Sequence, residues 1–221
     1  MQNKFLGVIT GDLYRSTAGF ERGKSYESIM DALKISLYNT NRYHIDTVDF
    51  FRGDSFQITV EPAFIIELAT YIRSHLLSLS DDTEDIKYDA RMSIVIDKVN
   101  IYSKTSKNFY EKAFIDSGRA LDAMPKNKMI IFNSDIEEIH TFIGAGTQLL
   151  DFLLNQLSKP QAEVLKICID QGMIDATSIA TISNKSRQNI YKLLSRAGVE
   201  NIMEYLRLTR TGIQNQLKEH I

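Results

Sequence analysis

Asp12 and Asp54 are the residues of this chain whose types and placement are best suited to chemistry. Each follows a glycine, and each stands where a run of apolar and β-branched residues stops. Residues 4–10 read as a buried strand ending at Gly11 and Asp12, and residues 48–60 as two strands around a tight turn at Gly53 and Asp54. If the first strand and the hairpin are neighbours in one sheet, the two acids converge. Two carboxylates at one point suit a hard divalent cation, Mg2+ or Mn2+, bridging the phosphates of a nucleotide. Ser16 and Thr17 follow closely, and their hydroxyls and backbone amides are candidates to hold a phosphate. A Gly-Asp pair alone populates turns for conformational reasons; the expectation rests on two of them meeting.

A second group lies in the last quarter of the chain, where residues 178–194 read as helix, turn, helix. Ala180 is small where the helices must approach, Asn184 tolerates the left-handed conformation of such a turn, and Ser186 suits the start of the second helix. Ile190, Leu193 and Leu194 then turn inward. Arg187, Gln188, Asn189, Lys192 and Arg196 face outward or stand at the helix start. Arg, Gln and Asn pair bidentately with guanine or adenine edges, and Lys serves phosphates. The expected partner of helix 186–197 is double-stranded DNA.

Charge distribution agrees. The 221 residues carry a net charge of −2, but from Ser158 onward there are nine Lys or Arg against six Asp or Glu, which is +3 and leaves −5 for the rest. Such a split points to two parts with different partners. Hydrophobic residues at 43% and charged residues at 24% are ordinary globular values and exclude a disordered or collagenous chain. The lone Cys168 cannot form an internal disulfide and falls on an apolar helix face, so a cytoplasmic setting and a core role are expected. No apolar run is long enough to span a membrane. The four His residues lie scattered, without the spacing of a zinc site.

The elements that must position these groups alternate. Helices are expected at 25–38, 62–79 and 108–124, a strand at 91–97 and a short strand at 128–133, giving β-α-β-β-α-β-α-β. That order predicts an α+β fold: a ferredoxin-like, palm-like antiparallel sheet with helices on one face, plus an added helix and strand. Only helices follow. The expected division is an α+β domain over 1–136, a connecting helix over 137–157 weakened by Gly144 and Gly146, and an all-α helix-turn-helix domain over 158–221.

Residues 11–17, G-D-L-Y-R-S-T, resemble the first-strand motif of class III nucleotide cyclase domains, and residues 51–56, F-R-G-D-S-F, resemble their hairpin motif. Residues 113–122 are similar to a later helix of that family. Residues 178–194 resemble the helix-turn-helix of bacterial transcription regulators, with departures at Ser183, Asn184 and Lys185. The combination looks closest to the SatD-like proteins of bacteria. The resemblance implies Asp12 and Asp54 as metal ligands. It puts Phe50 where the family has a purine-selecting Lys, Asp116 at a transition-state Asn and Ala120 at a transition-state Arg. Arg119, one residue away, is left as the candidate nucleotide contact. These departures disfavour classical cyclase chemistry. The expected function is a bacterial DNA-binding regulator with a nucleotide- or metal-sensing cyclase-like domain. The alternative is a metal-dependent nucleotidyl cyclase or phosphotransferase with a helical association tail. Both resemblances imply a homodimer.

Overall fold

Strand β1 (Lys4–Leu13) is apolar on both sides. Phe5, Ile9 and Leu13 point one way and Leu6 and Val8 the other, all buried, as in a central strand covered on both faces. The computed structural model describes residues 4–14, 27–40, 42–51, 53–80, 87–99 and 111–220. Within them β1 pairs antiparallel with β3 (Ser55–Val60) on one side and β4 (Ala90–Val99) on the other. β2 (Ile45–Phe51) pairs with β3 across a turn where Gly53 takes a φ of +81°, which a side chain would resist. β5 (Ile130–Ser134) completes a five-stranded sheet of order β2-β3-β1-β4-β5. The fold is α+β.

The sheet is mixed, not antiparallel as expected, because β5 runs parallel to β4. The helix that joins these two adjacent strands returns the chain to the same end of the sheet, which makes them parallel. The helices also lie on both faces, where the sequence predicts one. α1 (Glu27–Asn39) and α2 (Ile65–Ser78), the latter led by a 3-10 turn at Pro62–Phe64, share a core with Phe5, Ile9, Phe56, Ile58 and Ile94. α3 (Glu111–Asp122) packs on the other face: Ala113 and Phe114 meet Leu6 and Val8, and Ser117 bonds Thr10 at 2.6 Å.

α2 is buried along its length, from Ile65 to Leu77. A helix buried on every side, polar residues included, needs cover on every side. The sheet covers one side, and α4 (Glu137–Asn155), α5 (Lys159–Gln171) and α8 (Val199–Glu219) cover the rest. The expected junction at Ser158 is a capped turn: its hydroxyl and Gln161 form a capping box at the start of α5. Across that turn the apolar core is continuous, from Phe5 to Ile213. The glycines expected to weaken α4 are accommodated, because Gly146 lets α8 come close. A Cβ there would lie 2.5 Å from the Tyr205 ring.

One polar network crosses this core. The fully buried Arg73 of α2 donates through Nε and Nη2 to both oxygens of Asp89, at 2.8 and 2.6 Å. It also donates to Asp151 at 2.9 Å and to Asn155 at 2.7 Å, both on α4. Asp151 in turn accepts from the backbone N–H of Met129, ahead of β5. A buried charge needs such full satisfaction.

Candidate functional site

β1 and the β2–β3 hairpin end side by side. Asp12 stands opposite Ser55 in register, and the backbone N–H of Leu13 donates to the carbonyl of Asp54 at 2.9 Å. The two acids therefore occupy one corner of the sheet. On its other side Asp12 faces Arg91 of β4. Burial raises the Asp12 carboxyl above the usual carboxylate range; Arg91 opposes this, and Asp54 and Asp122 at the end of α3 add to it. Its Oδ1 is buried without a hydrogen-bond partner among the described residues, and so is Arg91 Nε. Arg91 Nη2 donates to the carbonyl of Met124 at 3.1 Å.

A buried carboxylate oxygen left unpaired is costly unless something else binds it, so the corner fits a divalent cation in its donor chemistry. Two acids are a thin donor set, however, and among the described residues no group of three or more His, Cys, Asp or Glu has metal-binding spacing. Ser16 and Thr17 lie outside the described residues. Arg91 and Asp122 join the corner through strand register and the placement of α3, neither of which local spacing reveals.

Arg119 opens elsewhere. It lines a cavity of about 420 Å³ between α3 and the β4–β5 edge, with Val95, Asp97, Asp116, Asn133 and His140. Val95 and Asp97 lie about 13–20 Å along the strand from Arg91. Lys112 ties this region together, with Nζ 2.9 Å from Asp97, 2.9 Å from Asp135 and 3.4 Å from Asp116. Burial and a hydrogen bond with Asp135 raise the Asp97 carboxyl, while the same hydrogen bond lowers Asp135. Phe50 fills the core face of β2, its ring 6.4 Å from that of Phe56, with the Lys34 ammonium 5.2 Å above it.

The C-terminal group is arranged differently. α6 (Ala176–Ser183) and α7 (Arg187–Ala197) are joined by residues 184–186. Asn184 ends α6 in the left-handed conformation at φ 52°, and Ser186 accepts from the backbone N–H of Asn189 at 3.3 Å. Ile190 and Leu194 are buried. Arg187, Gln188, Asn189, Lys192 and Arg196 are all exposed, and the three cations among them form no ion pair among the described residues. Lys185, by contrast, is held by Glu163 at 2.7 Å, and Ser183 bonds the carbonyl of Ile179 at 2.7 Å. Both polar departures from the helix-turn-helix pattern are thus satisfied locally. Tyr191, 62% exposed between Arg187 and Lys192, belongs to the same surface; its single-turn spacing from Arg187 was the readable sign.

Cys168 is fully buried, and burial pushes its thiol up to about 12, so it has no reactive character. Among the described residues no helix is long and apolar enough to cross a membrane. Comparison of the chain with protein-family models, with curated proteins and with solved structures found no match in any of the three.

Proposed function

We propose that this protein is a cytoplasmic DNA-binding regulator. α6 and α7 act as a helix-turn-helix that lays α7 in the major groove of duplex DNA, and the sheet body senses a nucleotide held with Mg2+ or Mn2+ at the Asp12–Asp54 corner. The observation that carries this reading is the exposed face of α7. Five side chains of the types that read base edges and phosphates stand together, free of ion pairs among the described residues, on a helix capped at both ends. The helix carries three cations and no acid, so none of them is neutralised at i+3 or i+4 as Lys166 is by Asp170 on α5. Arg187, Gln188 and Asn189 lie in the first turn, where a recognition helix meets bases, and Lys192 and Arg196 follow where phosphates pass.

The order of the first four strands, β2-β3-β1-β4, supports a ferredoxin-like reading of the body. The unpaired Asp12 oxygen beside Asp54 supports a cation bridging phosphates there. Turnover of that nucleotide is the weaker alternative, since Phe50 is engaged in the core and Arg119 opens on a different cavity. The test is titration of labelled duplex fragments from the gene's own locus with the full chain at two salt concentrations. Binding that weakens steeply with salt supports the reading; no salt-dependent binding removes it.

A further inference from the structure

Helix α4 has a second face that the fold leaves uncovered. Ile139, Leu150 and Leu154 turn to the core together with Thr147 and Asp151. On the opposite side Phe142, Leu149, Phe152 and Leu153 are 75%, 69%, 62% and 39% exposed. Their spacing, i, i+7, i+10 and i+11, sets them in one stripe down the helix. Between Thr141 and Gln156 the sequence has one charged residue, Asp151, and it is buried on Arg73. The outer face of α4 thus carries no charge over four turns, whereas a helix face meant for water ordinarily carries several.

We infer that this stripe binds a second copy of the same chain, α4 against α4 about a two-fold axis. In a two-fold contact the same patch meets itself, so any charge on it would meet its like. An uncharged apolar stripe meets that condition, and Ala145 keeps its middle low. The four side chains leave about 450 Å² of apolar surface in water per copy. That is the size of the largest apolar patch on a typical monomer, about 300–600 Å² and often functional, and a fitting apolar centre for an interface of about 800 Å² per partner. α4 is also tied to α8, where Tyr205 Oη donates to the carbonyl of Ile143 at 3.3 Å, and α8 follows directly on α7. Pairing α4 therefore fixes the spacing of two α7 helices. The inference itself stands on α4 and does not rest on DNA binding.

Sedimentation velocity of the full chain without DNA, at micromolar concentrations, tests it. The wild type is expected at twice its 25.2 kDa chain mass. Phe142→Glu with Leu149→Glu is expected to sediment as a folded monomer, with an unchanged circular-dichroism spectrum and a melting temperature that no longer depends on protein concentration. A spin label on Gln148→Cys, the buried Cys168 being the other thiol, reports independently through dipolar broadening between copies. A monomeric wild type overturns the proposal, and so does a double variant that stays dimeric or an unbroadened label. A monomer that co-sediments with anionic phospholipid vesicles also overturns it, by assigning the stripe to a lipid surface. A dimer that fails to bind DNA leaves this inference intact and removes only the regulator reading.

Discussion

Arg73 Nη1 and Asp151 Oδ1 lie 2.9 Å apart, both fully shielded from solvent, and they join residues 78 positions apart in the chain. Through Arg73 the central helix α2 holds Asp89 at the start of β4 and α4 at the outer layer in one grip. Removing one partner of a buried ion pair strands the others without compensation, which costs about 3–5 kcal/mol. Arg73→Ala is expected to lose that much in urea denaturation while retaining a single transition, since the core is continuous from the sheet to α8. Asp151→Asn keeps the side-chain shape and the acceptor for Arg73, but turns an amide NH2 toward the backbone N–H of Met129, so it is expected to cost about 1–3 kcal/mol, less than Arg73→Ala. Equal losses for the two variants would contradict this account of the network.

His75 supplies a pH dependence. It is buried on α2, stacked on Tyr71 at 6.1 Å, with neither ring nitrogen hydrogen-bonded among the described residues. Burial, with the nearby Lys166, lowers its imidazole from 6.5 to about 4. The unfolded chain therefore binds a proton between those values that the folded chain refuses. Stability rises with pH across that window and is lost as pH falls from about 6.5 towards 4. The loss at the low end is about 3 kcal/mol. His75→Leu is expected to remove this part of the dependence, read as the difference between wild-type and variant melting curves at pH 7.5 and 5.

At the acidic corner Mn2+ is expected to raise the melting temperature of the wild type. At 100 times its dissociation constant a ligand adds about 2.7 kcal/mol of stability. Asp12→Asn and Asp54→Asn should each abolish that rise. Without metal, Asp12→Asn is expected to be neutral or stabilising, because a carboxyl raised by burial gains when its charge is removed. A Mn2+ shift that survives both substitutions would place the cation elsewhere.

The element order was legible because strands and helices alternate with clear apolar periods and because caps announce themselves: Ser158, Asn184 and Ser186 all sit where their chemistry suggests. The placement of α3 was not. Phe5 and Ile9 on one side of β1 and Leu6 and Val8 on the other are equally apolar, so the strand says that both faces are covered and not by which helix. The convergence of Asp12 and Asp54 followed from strand order, whereas Arg91 entered through register, which is set by the whole sheet. Arg119 lines a cavity of its own, in keeping with a one-residue step along a helix turning a side chain by about 100°. The Arg73 network was illegible, since its partners are 16 and 78 residues away. A buried arginine on an apolar helix reads the same as one that reaches to water.

Base-reading and phosphate-holding roles on α7 are expected to separate on mutation. Arg187→Ala should cost about 1–3 kcal/mol on a preferred site and relax preference at one base pair, whereas Lys192→Ala should weaken all sequences alike. Both side chains are exposed, so neither variant should change the melting temperature.

The salt dependence of duplex binding by the wild type and by Arg187→Ala with Lys192→Ala, measured by fluorescence anisotropy, tests the assignment of α7 most directly. Steep salt dependence is expected for the wild type. The double variant is expected to bind more weakly, with the slope of log affinity against log salt reduced by about one for each phosphate that it no longer neutralises. Equal affinity and equal slope for the two proteins would show that this face of α7 does not touch DNA.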